Sequence, residues 1–133
     1  MRIPEKTEFP LRARPQKWVV DDIQIEKFHK ALRWNTSILP PTIYSIFLSG
    51  VFEIVNDLKV DWKNLLHATQ AFEYGEPLSV PTEGTAETVL KDVKFRAKTY
   101  WMQFETVATA NASRAVVVRS KTLLLVKAES EMP

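Results

Sequence analysis

The chain has no cysteine, which removes disulfide bridges, thiolate nucleophiles and cysteine metal sites together. The redox compartment stays open. It has two histidines, His29 and His67, and neither has a second ligand at helix or turn spacing, so no metal site is expected. Charge of one sign is also missing. The 18 basic and 16 acidic residues leave a net +2 with no basic block. That is too weak an attraction for nucleic acid, although a few lysines and arginines suffice to meet a small phosphate-bearing ligand. The opening MRIPEKTEFPLRARP has no apolar run and carries three prolines, so neither a signal peptide nor an anchor is expected there and a cytoplasmic location is the default. No cofactor is implied.

What is present is one domain's worth of core: 133 residues, 45% of them hydrophobic. The stretch Pro40 to Leu58, PPTIYSIFLSGVFEIVNDL, organises the rest. Ile43, Ile46, Phe47, Gly50, Val51, Ile54, Val55 and Leu58 follow the i, i+3, i+4, i+7 rule of one helical face. Tyr44, Leu48 and Phe52 add a flanking line, leaving a polar wedge at Ser45, Ser49, Glu53, Asn56 and Asp57. A helix this apolar is expected to be buried on most of its circumference, and at roughly 16 residues it is too short and interrupted to span a bilayer.

Before that helix, residues 1 to 16 read as a surface-lying, partly flexible extension. Lys17 to Val20 is a short strand. Asp21 or Asp22 caps a short helix with Ile25, Phe28, His29 and Leu32 on one face. After the central helix, strand-like alternation runs from Leu65 to Val126. Leu65 to Tyr74 is expected to put Leu66, Ala68, Phe72 and Tyr74 on one side and His67, Thr69 and Glu73 on the other. Residues 75 to 81 form a loop, Thr82 to Leu90 a strand, and Lys91 to Thr99 contains a turn or bulge. Tyr100 to Ala110 shows Tyr100, Met102, Phe104 and Ala108 on one face. Asn111 to Arg114 is a hairpin loop, and Ala115 to Val126 pairs Val116 with Val118, Leu124 and Val126. One central helix followed by a strongly twisted antiparallel sheet makes the class α+β, on the plan of a hotdog fold. The domain spans 17 to 128, with a tail at 129 to 133.

The run from Asp57 to Val126 resembles the N-terminal module of MaoC-like dehydratases, which are related to (R)-specific enoyl-CoA hydratases. The resemblance is carried by Leu66-His67-Ala68, by Gln70, Phe72, Tyr74, Pro77 and Leu78, and by the strands ending Ser120 to Val126. With the central helix it covers residues 18 to 127. It implies a hotdog fold assembled as a homodimer, or as a heterodimer with a dyad-bearing MaoC-like subunit, and a ligand held as a thioester of CoA or acyl carrier protein. Active members hydrate trans-2-enoyl thioesters. An Asp and a His in a D-x-N-P-x-H-like segment before the helix activate water, and backbone N–H groups at the helix start polarise the thioester carbonyl.

This chain departs from that pattern. Its corresponding stretch, Arg33-Trp34-Asn35-Thr36-Ser37-Ile38-Leu39-Pro40-Pro41, holds neither Asp nor His, and Pro41 has no N–H to donate. The expected function is therefore acyl-thioester binding by a non-catalytic or diverged hydratase or dehydratase subunit. The alternative is a thioesterase with a helix carboxylate as base, which makes Glu53 a catalytic candidate beside His67. Each has a plainer reading, a salt-bridged wedge for Glu53 and a family strand histidine for His67. Pro41, Tyr44 and Gly50 are the substrate-binding candidates. Gly50 stands mid-helix at a cost of about 1 kcal/mol against alanine, which points to close approach of a strand or a ligand wall.

Overall fold

The computed structural model describes residues 2–23, 26–27, 30, 47–77 and 82–128. Six strands form one antiparallel sheet: β1 (Leu11–Arg12), β2 (Gln16–Val20), β3 (Leu65–Tyr74), β4 (Thr82–Arg96), β5 (Thr99–Ala110) and β6 (Val116–Lys127). Their order is β1-β4-β5-β6-β3, with β2 also on β4. The helix α1 (Ser49–Asp57) lies across the inner face. It stops where Lys59 turns left-handed at φ 55°, and the Val60 N–H reaches back to the Val55 carbonyl at 3.2 Å. The fold is the α+β hotdog arrangement expected from the sequence.

The inner-face side chains divide into two apolar clusters. Val51, Ile54, Val55, Leu58 and Val60 press the helix onto Leu90, Met102, Phe104, Leu124 and Val126. Beyond the helix start, Trp18, Val20 and Phe47 pack on Ala86, Ala108, Ala110, Val117 and Val118. Between them runs a row of polar side chains, Thr88, Thr106 and Ser120, with Thr122 in the next row, all buried.

The proline-rich beginning is tied down. Residues 2 to 16 lie over the helix and the edge of β4: the Arg2 N–H donates to the Leu58 carbonyl at 2.8 Å, the Ala13 N–H to the Thr88 carbonyl at 3.0 Å, and Leu11 and Arg12 pair with Leu90 and Val89. Phe9, Leu11 and Ala13 cover the first cluster.

Four expectations are corrected. The strand beginning at Thr82 runs on to Arg96, past a bulge between Leu90 and Asp92, and turns only at Ala97 and Lys98. Both turn residues have positive φ, 53° and 57°, so a two-residue hairpin forms without the glycine or asparagine that would have marked it. In β3 a bulge between His67 and Thr69 reverses the alternation. His67, Gln70, Phe72 and Tyr74 therefore share the inner face, and Leu66 lies on the other with Thr69, Ala71 and Glu73. A register shift at the start of β6 likewise separates Val116, opposite Thr109, from Val118, opposite Ala108. Finally, Phe52 is 46% exposed and tilts against Trp62 with ring centroids 5.7 Å apart, so the helix shows solvent a wider face than its polar wedge.

Candidate functional site

Glu53 points from α1 into the bend between β1 and β2. Its Oε1 accepts the Arg14 Nε–H at 2.6 Å, and its Oε2 accepts the Arg14 backbone N–H at 3.0 Å and the Gln16 side-chain amide at 2.9 Å. The Arg14 guanidinium, with these other donors, holds the Glu53 carboxyl below its ordinary range. A carboxylate so occupied is a poor proton acceptor, and its geometry is that of a clamp between the strap and the helix.

Gly50 is a point of close approach between the helix and the sheet. A Cβ there would lie 2.6 Å from the Thr88 Cβ and 3.4 Å from that of Ala13. The position is filled on the sheet side by the Thr88 hydroxyl, which shares a 2.8 Å hydrogen bond with the Thr106 hydroxyl. Gly50 therefore meets a strand and stands at one end of the polar row. Toward the other end, on β3, His67 lies opposite Leu124. Its Nε2 lies 3.1 Å from the Gln70 Oε1, which also accepts the Thr122 hydroxyl at 2.7 Å. The bulge that turns His67 inward thus also positions Gln70.

Register connects these residues. Thr88 faces Thr106, Thr106 faces Ser120 and Ser120 faces Phe72. One row over, Leu90, Phe104, Thr122 and Gln70 follow. Neutral polar side chains therefore cross the inner face from Gly50 to the outer edge at β3. Among the described residues two of their atoms, the Ser120 Oγ and the Gln70 Nε2, are buried without a hydrogen-bond partner. Sequence reasoning singled out none of these residues for chemistry. The signal was that Thr88 and Thr106 occupy strand positions whose neighbours two residues away are buried and apolar, and that Ser120 and Thr122 stand between buried Val118 and Leu124 on one face. Pro41, Tyr44 and His29 lie outside the described residues, as does the segment Arg33 to Pro41.

On the opposite face of the sheet a trough of about 460 Å³ runs between Glu73, Arg119, Lys121 and Glu105. Glu105 is paired there with Lys91 at 3.4 Å. Among the described residues no group of three or more His, Asp or Glu is placed to hold a metal, and no helix is long and apolar enough to cross a membrane.

Residues 24–119 match the family model of the FAS1-like dehydratase domain region. A UPF0336 protein of Thermobifida fusca (strain YX) is 28% identical over 99 residues, which are 71% of this chain and 64% of that protein's length. The C-terminally truncated HadBC (3R-hydroxyacyl-ACP dehydratase) complex of Mycobacterium tuberculosis superposes with a TM-score of 0.71 at 14% identity, over 87% of this chain and 95% of the other. The MaoC-like dehydratase of Rhodospirillum rubrum gives 0.55 at 15% identity, over 90% and 92%.

Proposed function

Because the chain belongs to the FAS1-like dehydratase-region family and has the fold of MaoC-like hotdog proteins, we propose that it binds acyl thioesters, of CoA or acyl carrier protein, as a subunit without its own hydration dyad. The observation that carries this reading is chemical. Adding water across an enoyl thioester needs one group to take a proton from water and one to return it, and Arg33 to Pro41 supplies neither Asp nor His where the resemblance places them. The Glu53 carboxylate is no substitute base, since it already accepts three hydrogen bonds. That occupation also weighs against the thioesterase alternative.

The subunit is one half of a pair, either with a copy of itself or with a dyad-bearing MaoC-like chain. Supporting this, β3 is a sheet edge among the described residues, with Leu66 62% exposed on it, and such an edge is a ready template for pairing. The similar HadBC assembly is itself a complex.

The test is an assay of crotonyl-CoA hydration by the isolated chain, which is expected to fall about 10²–10⁴-fold below an active family member. Addition of a dyad-bearing MaoC-like chain should restore turnover. Robust hydration by the chain alone would overturn the reading. Thiol release from acyl-CoA that disappears in Glu53→Gln would replace it with the thioesterase.

A further inference from the structure

Three polar atoms of the inner face are buried without a hydrogen-bond partner among the described residues, the Trp18 Nε1, the Gln70 Nε2 and the Ser120 Oγ, and the last two are neighbours. Gln70 lies opposite Thr122 and Phe72 opposite Ser120, so Gln70 and Ser120 are diagonal neighbours on one face of the β3–β6 pair. At that spacing, about 7 Å between backbones, a long side chain on one strand reaches the space beside the other. Burying a hydroxyl and an amide without partners costs folding free energy, and such groups are rarely left unpaired.

The amide is also oriented. Its Oε1 is held by the Thr122 hydroxyl and, in the Nε2–H tautomer, by the His67 ring, which leaves the NH₂ group as an unused donor. The Ser120 hydroxyl is a second donor, 2% exposed. What satisfies two neighbouring donors is one acceptor oxygen. The other members of the row, Thr88, Thr106 and Thr122, are neutral, and no lysine or arginine stands in it, which suits an uncharged carbonyl oxygen better than a carboxylate or a phosphate. Apolar clusters flank the row on both sides, and half-buried Gln70 opens it to the sheet edge. A carbonyl attached to an apolar chain fits each of these features.

We infer that the Gln70 Nε2 and the Ser120 Oγ are the side-chain donors that receive the thioester carbonyl of the bound acyl group. This rests on the acyl-thioester reading above, and places the carbonyl on side chains of the sheet instead of on backbone N–H groups at the helix start. The carrier is CoA or acyl carrier protein, which present the same carbonyl.

Calorimetric titration with hexanoyl-CoA and with S-hexyl-CoA, which has a methylene in place of the carbonyl, isolates that one oxygen. The wild type should prefer the thioester about ten- to a hundredfold, the effect of two hydrogen bonds. Ser120→Ala and Gln70→Leu should each lose most of this preference while keeping the affinity for S-hexyl-CoA. Ser120→Ala removes an unpaired hydroxyl, so its unfolding temperature should equal or exceed that of the wild type, which guards against loss of binding through misfolding. Repeating the titration with hexanoyl-acyl carrier protein identifies the carrier by which of the two thioesters shows the Ser120-dependent preference.

If both CoA compounds bind and the variants keep the wild-type preference, as they would were a water molecule seated between the two donors, the inference fails and the acyl-thioester reading survives. If no thioester, of CoA or of acyl carrier protein, binds, both fail.

Discussion

The two apolar clusters on the inner face are built on opposite principles. Under α1, ten buried side chains of similar bulk, five from the helix and its exit and five from the sheet, share the contact, and none is an alanine. Beyond the polar row, Ala86, Ala108 and Ala110 make the sheet shallow, and Trp18 and Phe47 fill the depth they leave, ring edge to face at 4.9 Å and 72°. Gly84 completes that seat, since a Cβ there would run into the Trp18 ring and the Thr109 carbonyl. A core of many equal members distributes its energy and relaxes around a small change. A core of small residues around one large ring concentrates it.

The largest expected effect breaks that comparison at its extreme. Trp18→Ala empties a seat whose alanine and glycine walls have no side chain to move inward, and should cost about 3–5 kcal/mol. Met102→Leu, in the distributed cluster and likewise buried, keeps its volume and should cost less than about 1.5 kcal/mol. Denaturant titration of both variants measures the difference. Equal losses would mean that the clusters are not built differently.

The same contrast explains what the sequence showed. The distributed cluster was legible because it follows simple periods: Val51, Ile54, Val55 and Leu58 at helical spacing, and Met102 and Phe104 at strand spacing. These were enough to reach the hotdog plan. The polar row was not legible, because its members come together only through register. Two bulges, at His67 and at Val117, shift the phase of β3 and β6, and an alternation counted across them puts Leu66 where Gln70 belongs. Gln70 could be quoted for its resemblance to a family, yet nothing in one chain says that it lies diagonal to Ser120. Glu53 was visible as a helix carboxylate. Its partners, Arg14 and Gln16, are 39 and 37 positions away and in a stretch whose prolines suggested looseness.

Gly50 stands at the border between the clusters, and a substitution there sharpens the comparison by asking which side yields. Gly50→Leu drives a side chain into Thr88, which is held by its hydrogen bond to Thr106, and should destabilise by about 1–3 kcal/mol. The measurement is again the denaturant midpoint, together with acyl-CoA titration. Unchanged folding with lost binding would instead make Gly50 part of the ligand's wall.

The smallest effect concerns the strap that joins the two regions. It lays Phe9, Leu11 and Ala13 on the distributed cluster and then Trp18 and Val20 in the concentrated one, and between them Arg14 and Gln16 are gripped by Glu53. Because Arg14 holds the Glu53 carboxyl below its ordinary value of 4.5, this grip contributes stability above that pH, and the contribution fades as the pH falls through the lowered folded-state value. Glu53→Gln has no charge to lose. It should therefore be less stable than the wild type at neutral pH, and the two should converge on acidification below about 4.5. Thermal unfolding followed from pH 7 to pH 2.5 reads this directly. A gap between the two proteins that stays constant to the acid end would show that the clamp acts through shape and neutral hydrogen bonds, and that the strap's hold on both clusters is independent of the charge on Glu53.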